Sequence, residues 1–299
     1  MGELRDRAGL ATLGAQPLRP GLGFGCAQLL SRCGQAAAVR LLETALDAGI
    51  THFDVARSYG DGAAEQALGQ IARRRRREMT IVTKAGMAPP TLAGRVARRL
   101  GGARSAHRSG LFAPDQVARS VESSLRALAT DHIDALLLHE CEPEHVTEAL
   151  ILRLGRLISE GKIGAFGIAT SSQATDELRR RWPQTWRVVQ LADDPSLPLP
   201  AGGRSIFVTH SVVSGARLRE RCSPAAELAI RAAMERNRSG VVLFSSCNPQ
   251  HIQKNALLAE RVMCPALAGS AVATCTGSAD NQLRQARPLP RGPALAEAP

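Results

Sequence analysis

The chain has 299 residues, enough for one large domain or two small ones. Hydrophobic residues make up 44% and charged residues 22%, so a packed core forms and wholesale disorder is excluded. Lys+Arg 38 against Asp+Glu 27 leaves a net charge of +11, but only Lys84, Lys162 and Lys254 are lysines and aromatics reach only 3%, so the charge reflects an arginine-heavy composition rather than a nucleic-acid surface.

Residues 1–20 form an N-terminal segment carrying Glu3, Arg5, Asp6 and Arg7 without a long apolar stretch, so no signal peptide is expected. After it, short β-branched or leucine-rich runs predict strands at Gly21–Gly25, Thr51–Val55, Met79–Lys84 and Ile133–His139. Four more follow at Ile163–Ala169, Trp186–Leu191, Ser205–His210 and Gly240–Ser245. Between most of them, apolar residues at helical spacing predict helices at Ala36–Ala48, Ala63–Arg74, Pro114–Ala129 and Glu144–Glu160. The remaining helices are expected at Thr175–Arg181, Pro224–Arg236 and Pro249–Arg261. Pro114 and Asp115 read as a helix start, and Gly49 and Gly161 as the residues that end helices before the next strand.

Strand–helix alternation implies parallel strands with right-handed crossovers, and eight units imply a (β/α)8 TIM barrel. An open doubly wound sheet is the rival. Its phosphate loop is missing, because Gly21-Leu22-Gly23-Phe24-Gly25 places the third glycine too early for GxGxxG. One helix is expected to be absent: residues 192–203, between strands six and seven, are too rich in Pro and Gly. Loops or a partner chain would have to cover that part of the wall. Residues 85–112 form a long connection on the rim where barrels build active sites. Residues 21–264 are thus the barrel domain, and residues 265–299 a low-complexity tail expected to be disordered.

The seven cysteines are scattered, odd in number and form no CxxC pair. That pattern argues against a disulfide framework and a zinc site, and fits a reducing, cytoplasmic setting. No apolar run reaches the length of a membrane span. The run Arg73–Arg77 reads as a solvated helix end. His52, His132 and His145 read as structural or exposed, and His107 as part of a substrate loop.

In a barrel, functional side chains emerge at the C-terminal ends of strands. There lie Asp54, Lys84 and His139, with Tyr59, the only tyrosine, just beyond Asp54. A neighbouring ammonium favours phenolate, so Lys84 is expected to acidify Tyr59 toward a range useful for proton transfer. Asp54 would keep Lys84 charged, and His139 would hydrogen-bond a substrate oxygen. Such a set protonates a developing alkoxide but lacks a hydride source, which points to a nicotinamide cofactor.

The segments GITHFDVARSYGDGAAEQALG (Gly49–Gly69), IVTKAG (Ile81–Gly86), IDALLLHE (Ile133–Glu140) and GKIGAFGIATSS (Gly161–Ser172) together resemble the successive signatures of the aldo-keto reductases. The resemblance runs from about Leu22 to Arg261. It implies a (β/α)8 barrel that binds NADP(H) in extended form, with NAD(H) as the alternative, and reduces aldehydes and ketones. It maps the catalytic tetrad onto Asp54, Tyr59, Lys84 and His139. The family's carboxamide-gripping pair falls on Ala169 and Thr170, its glutamine on Gln190, and its ring-stacking tyrosine on His210. The phosphate-gripping basic residues become Ser245 and His251, while Ser246 and Asn255 stay as expected. Cys26, at the rim after strand one, is expected to line the nicotinamide pocket and to be sensitive to alkylation. The expected partner is a small carbonyl or alcohol, without nucleic acid or membrane, and the oligomeric state stays open. The rival function is a non-catalytic nucleotide-binding barrel serving as a sensor or partner subunit.

Overall fold

The computed structural model describes residues 18–87, 110–199, 203–213 and 224–264. Each expected strand forms within two residues of its expected ends: β1 (Gly21–Gly25), β2 (His52–Asp54), β3 (Thr80–Ala85), β4 (Ile133–His139), β5 (Ile163–Ala169), β6 (Val188–Ala192), β7 (Ile206–His210) and β8 (Val241–Phe244). Each pairs in parallel with the next, and β8 returns to β1 through Gly21↔Val241, closing the barrel. The expected N-terminal residues 1–17, most of the 85–112 connection (including His107) and the 265–299 tail lie outside the described residues.

The helices are α1 (Leu29–Cys33), α2 (Gln35–Asp47), α3 (Ala63–Arg75), α4 (Pro114–Leu128), α5 (Glu148–Ser159), α6 (Ser172–Arg181), α7 (Pro224–Arg236) and α8 (Pro249–Met263). α1 was not expected, and two starts differ from expectation by more than one residue, both explained by side-chain caps. Thr147 accepts from Leu150 N at 3.2 Å, so α5 begins at Glu148 after a 3-10 turn over Pro143–His145. Ser171 accepts from Ala174 N at 3.2 Å and starts α6 three residues early. Gly49 (φ 87°) and Gly161 (φ 70°) take the left-handed backbone that turns each helix into its strand.

Strand alternation divides the apolar residues into two layers. Val82, Leu137, Val188, Val208, Val241 and Leu243 fill the barrel interior, joined by Leu18 from the chain before β1. Phe24, Phe53, Ile81, Leu136, Leu138 and Val242 face outward against the helices.

Among the described residues no helix separates β6 from β7. The exposed strand face is closed locally instead. The Arg179 guanidinium of α6 lies 5.5 Å over the Phe207 ring of β7. Arg236 of α7 reaches Asp193, just after β6, at 2.6 Å, and Leu199, Val212 and Val213 pack against the core.

The arginine run at the end of α3 is solvated at Arg73, Arg74 and Arg77, as expected, but Arg75 and Arg76 turn inward. Arg74 pairs with Glu43 at 2.7 Å, and Arg75 pairs with Asp47 and Glu78. Arg76 is half-buried, pairing with Asp134 at 2.6 Å and donating to Met79 O at 2.7 Å. The positive charge there ties α3 to α2 and β4. No helix among the described residues is long and apolar enough to cross a membrane.

Candidate active site

The C-terminal ends of the strands open into a cleft of about 1130 Å³, larger than a typical small-molecule pocket of roughly 300–1,000 Å³. Asp54 at the end of β2 and Lys84 near the end of β3 face each other across adjacent strands. Lys84 Nζ donates to Asp54 Oδ1 at 2.5 Å and to Val55 O at 3.3 Å. Tyr59, in the 3-10 turn following β2, has its ring centroid 5.1 Å from Lys84 Nζ. His139, ending β4, meets the Tyr59 ring edge-on with centroids 6.0 Å apart. All four line the cleft.

Burial pulls the Lys84 ammonium toward neutrality, but Asp54 and Tyr59 outweigh it and hold its pKa above the ordinary lysine value. Lys84 is therefore charged. The phenol behaves contrary to expectation. Burial raises the Tyr59 pKa, and the lowering by Lys84 does not overcome it, while Asp54 adds to the rise. The hydroxyl thus stays protonated in the folded chain, which suits a proton donor rather than a standing phenolate.

Behind this row, β3 is held from outside. Thr83 faces away from the cleft, where its Oγ1 donates to Glu65 Oε1 of α3 at 2.6 Å, with both side chains buried. Burial raises the Glu65 pKa, partly offset by the Thr83 hydrogen bond. Four residues on, Gly69 lets α3 approach α4, because a Cβ there would sit 2.3 Å from Ala127 O. The Ala64–Gly69 part of the first motif therefore positions the strand that carries Lys84.

Of the residues expected to hold a cofactor, Ala169, Thr170, Gln190, His210, Ser245, Ser246, His251 and Asn255 all line the same cleft. Thr170 Oγ1 donates to Cys141 O at 2.8 Å. Gln190 Nε2 donates to Asp54 Oδ2 at 3.0 Å, which turns its amide so that the buried Oε1 has no partner among the described residues. That acceptor fits a carboxamide N–H. His210 has Nδ1 2.8 Å from Ser211 Oγ, and burial lowers its pKa, so the ring is neutral. Asn248 caps α8, accepting from Gln250 N at 2.9 Å, and stands 3.2 Å from His251 Nε2. A helix N-terminus beside His251 and Asn255 suits a phosphate.

Cys26 departs from expectation. It is 1% exposed within the outer apolar layer and does not line the cleft, whose wall takes Gly25 and Ala27 on either side of it. Burial drives its thiol far above the ordinary value, which removes the expected sensitivity to alkylation. The cysteines also correct the expected absence of cross-links, since Cys33 and Cys247 form a disulfide. Sequence reasoning missed two cations on the cleft wall, Arg32 and Lys254. Lys254 was findable: it stands three residues after His251 on α8, hence on the same helical face.

The sequence profile of the aldo/keto reductase family matches residues 21–192. A 6-dehydroglucose reductase of Agrobacterium fabrum is 37% identical over 131 residues, 43% of this chain and 41% of its own. A D-threo-aldose 1-dehydrogenase of a Pseudomonas species is 32% identical over 177 residues, 54% and 52% of the two chains. The chain spans about half the length of the curated relatives it matches. Among solved structures, an aldo-keto reductase from Klebsiella pneumoniae in complex with NADPH superposes with a TM-score of 0.61 at 21% identity, covering 83% of this chain and 90% of that one.

Proposed function

The chain belongs to the aldo/keto reductase family, and from that premise we propose that it is an NADP(H)-dependent carbonyl reductase, working in reverse as an alcohol dehydrogenase. One observation carries the reading. A protonated phenol, its ring 5.1 Å from a buried and charged lysine ammonium, opens into the same cleft as a buried amide oxygen without a partner among the described residues.

Reduced nicotinamide, when bound, supplies the hydride that no side chain of the chain can. Gln190 Oε1 would accept from its carboxamide, and the face of α8 bearing His251, Lys254 and Asn255 would hold the adenosine end with its 2′-phosphate. Tyr59 donates its hydroxyl proton to the alkoxide that develops on the substrate oxygen. Lys84 stabilises the phenolate left behind, and Asp54 keeps Lys84 charged and oriented. His139, edge-on to the Tyr59 ring, hydrogen-bonds the same substrate oxygen and so places it before the phenol. In reverse, Tyr59 as phenolate would take the alcohol proton, and its raised pKa favours the reducing direction near neutrality.

The test is a panel of aldehydes, ketones and sugar-derived carbonyls, followed through the absorbance of NADPH. The names of the sugar-converting relatives place aldoses and oxidised sugars first in that panel. Carbonyl-dependent oxidation of NADPH is expected. Firm NADPH binding without turnover across the panel would overturn the reductase reading in favour of a nucleotide-binding sensor.

A further inference from the structure

Two lips of the cleft are joined covalently. Cys33, the last residue of α1, and Cys247, in the turn between β8 and α8, form a disulfide with Cα atoms 6.4 Å apart at a sequence separation of 214. The strands beneath are already paired, β1 to β8, so the barrel closes without this bond. What the bond adds lies above the strand ends, where backbone pairing has stopped. One lip brings Gln28 and Arg32 to the cleft, and the other brings Ser246 and Asn248. Cys33 is half-buried and Cys247 exposed, so small thiols and disulfides reach the pair from solvent. The other described cysteines differ: Cys26 and Cys141 are buried, the latter with its thiol pushed up to about 12, and Cys264 is exposed but at the far end of α8.

We propose that Cys33 and Cys247 are a thiol–disulfide exchange site that sets the affinity of the cleft for its dinucleotide, tight when oxidised and slack when reduced. The coupling to dinucleotide rests on the reading of the cleft given above. In the oxidising direction, the Cys247 thiolate attacks a low-molecular-weight disulfide, forms a mixed disulfide and expels one thiolate. The Cys33 thiolate then attacks the Cys247 sulfur and expels the second. Two protein thiols are oxidised, one external disulfide is reduced to two thiols, and the two protein protons leave on those products.

The bond holds the lip that carries the α8 cap against the lip that carries Arg32, so the oxidised form is the one pre-organised for a ligand. Asn248 follows Cys247 directly and caps α8, the helix that presents His251, Lys254 and Asn255 to the cleft. Reduction releases the lip that carries this cap, and a ligand must then order it on binding.

The experiment treats the full chain with oxidised glutathione or with dithiothreitol, maps the disulfide by peptide mass spectrometry, and titrates each form with NADPH by fluorescence. A Cys33–Cys247 cross-linked peptide is expected after oxidation, with NADPH bound about three- to tenfold more weakly after reduction. Cys33→Ser should match the reduced protein and ignore dithiothreitol; if it folds poorly, the reduced wild-type chain carries the comparison alone. Absence of the cross-linked peptide after oxidation overturns the exchange site. Equal affinity in both forms overturns the coupling while the nucleotide reading stands. No NADPH binding in either form overturns the nucleotide reading and the coupling with it.

Discussion

Lys84 Nζ lies 2.5 Å from Asp54 Oδ1, and neither side chain exposes more than 3% of its surface. Asp54 also receives Gln190 Nε2 on its other oxygen at 3.0 Å, so the carboxylate is held from two strands at once. A buried pair of this kind contributes little net stability, because desolvation offsets most of the attraction. Its value is placement, since it fixes an ammonium 5.1 Å from the centre of the Tyr59 ring. Removing one partner leaves the other charge buried alone. Lys84→Met is therefore expected to cost about 3–5 kcal/mol, and Asp54→Asn with Lys84→Met together much less than the sum of the singles. Urea denaturation of the three variants checks this. A double variant as unstable as the sum would mean that the two groups do not act as a pair.

Tyr59→Phe removes the proposed proton donor but keeps the ring that packs edge-on against His139. Carbonyl reduction is expected to fall about 10²- to 10⁴-fold in kcat while NADPH affinity changes little. Because burial raises the phenol's pKa, the wild-type reduction rate should stay flat through neutral and mildly alkaline pH, and fall only above about pH 10. A pH profile of kcat with a descending limb near neutrality would assign the donated proton to another group.

His52 sits one strand step below Asp54, 3% exposed, and neither ring nitrogen has a partner among the described residues. Gly23 opposite makes room for it, since a Cβ there would lie 2.8 Å from the His52 ring. Burial is the main cause that pulls its pKa from 6.5 down to about 4, with Lys84 adding to it and Asp54 and Asp134 opposing. Between those two values the unfolded chain binds the proton and the folded chain does not, so stability rises with pH across that window and levels above it. Keeping the ring neutral against the unfolded chain's tendency to protonate costs the folded state about 3 kcal/mol as pH falls from 6.5 toward 4. In His52→Leu, the drop in unfolding free energy over the same window should be smaller by about that amount. An unchanged drop would place the acid sensitivity elsewhere.

The barrel was legible because its signals are local. Eight apolar runs, most ending in a small or polar residue, need only their neighbours to become strands, and Thr147 and Ser171 moved helix starts by about a turn. The gathering of Asp54, Tyr59, Lys84 and His139 in one cleft was legible for a related reason, since strand ends project onto one rim. What was missed depends on distance in sequence. Cys33 and Cys247 are 214 residues apart, and nothing in their spacing pairs them. The direction of the Tyr59 shift turns on how much of the phenol is buried, which the adjacency of a lysine does not reveal. Cys26 lies one residue past β1, where the inward and outward alternation decides its face, and it falls outward with Phe24.

Lys254 carries the last prediction. The sequence replaces the expected basic phosphate grip with Ser245 and His251, which by itself weakens any preference for the 2′-phosphate of NADPH over NADH. Yet Lys254 stands on the same face of α8 as His251 and lines the cleft with it, near the helix N-terminus capped by Asn248. An ammonium there recovers the charge that the motif lost. Lys254→Ala should weaken NADPH binding about tenfold, the scale of one hydrogen bond to a charged group, and leave NADH nearly unchanged. The wild-type preference should shrink with added salt, because an exposed ion pair is screened, whereas the variant's smaller preference should respond less. Fluorescence titrations with both dinucleotides at two ionic strengths measure all four affinities. Equal losses for NADPH and NADH would show that Lys254 supports the adenosine pocket as a whole rather than the phosphate, and the preference for NADPH would then have to come from Arg32 or from the helix end itself.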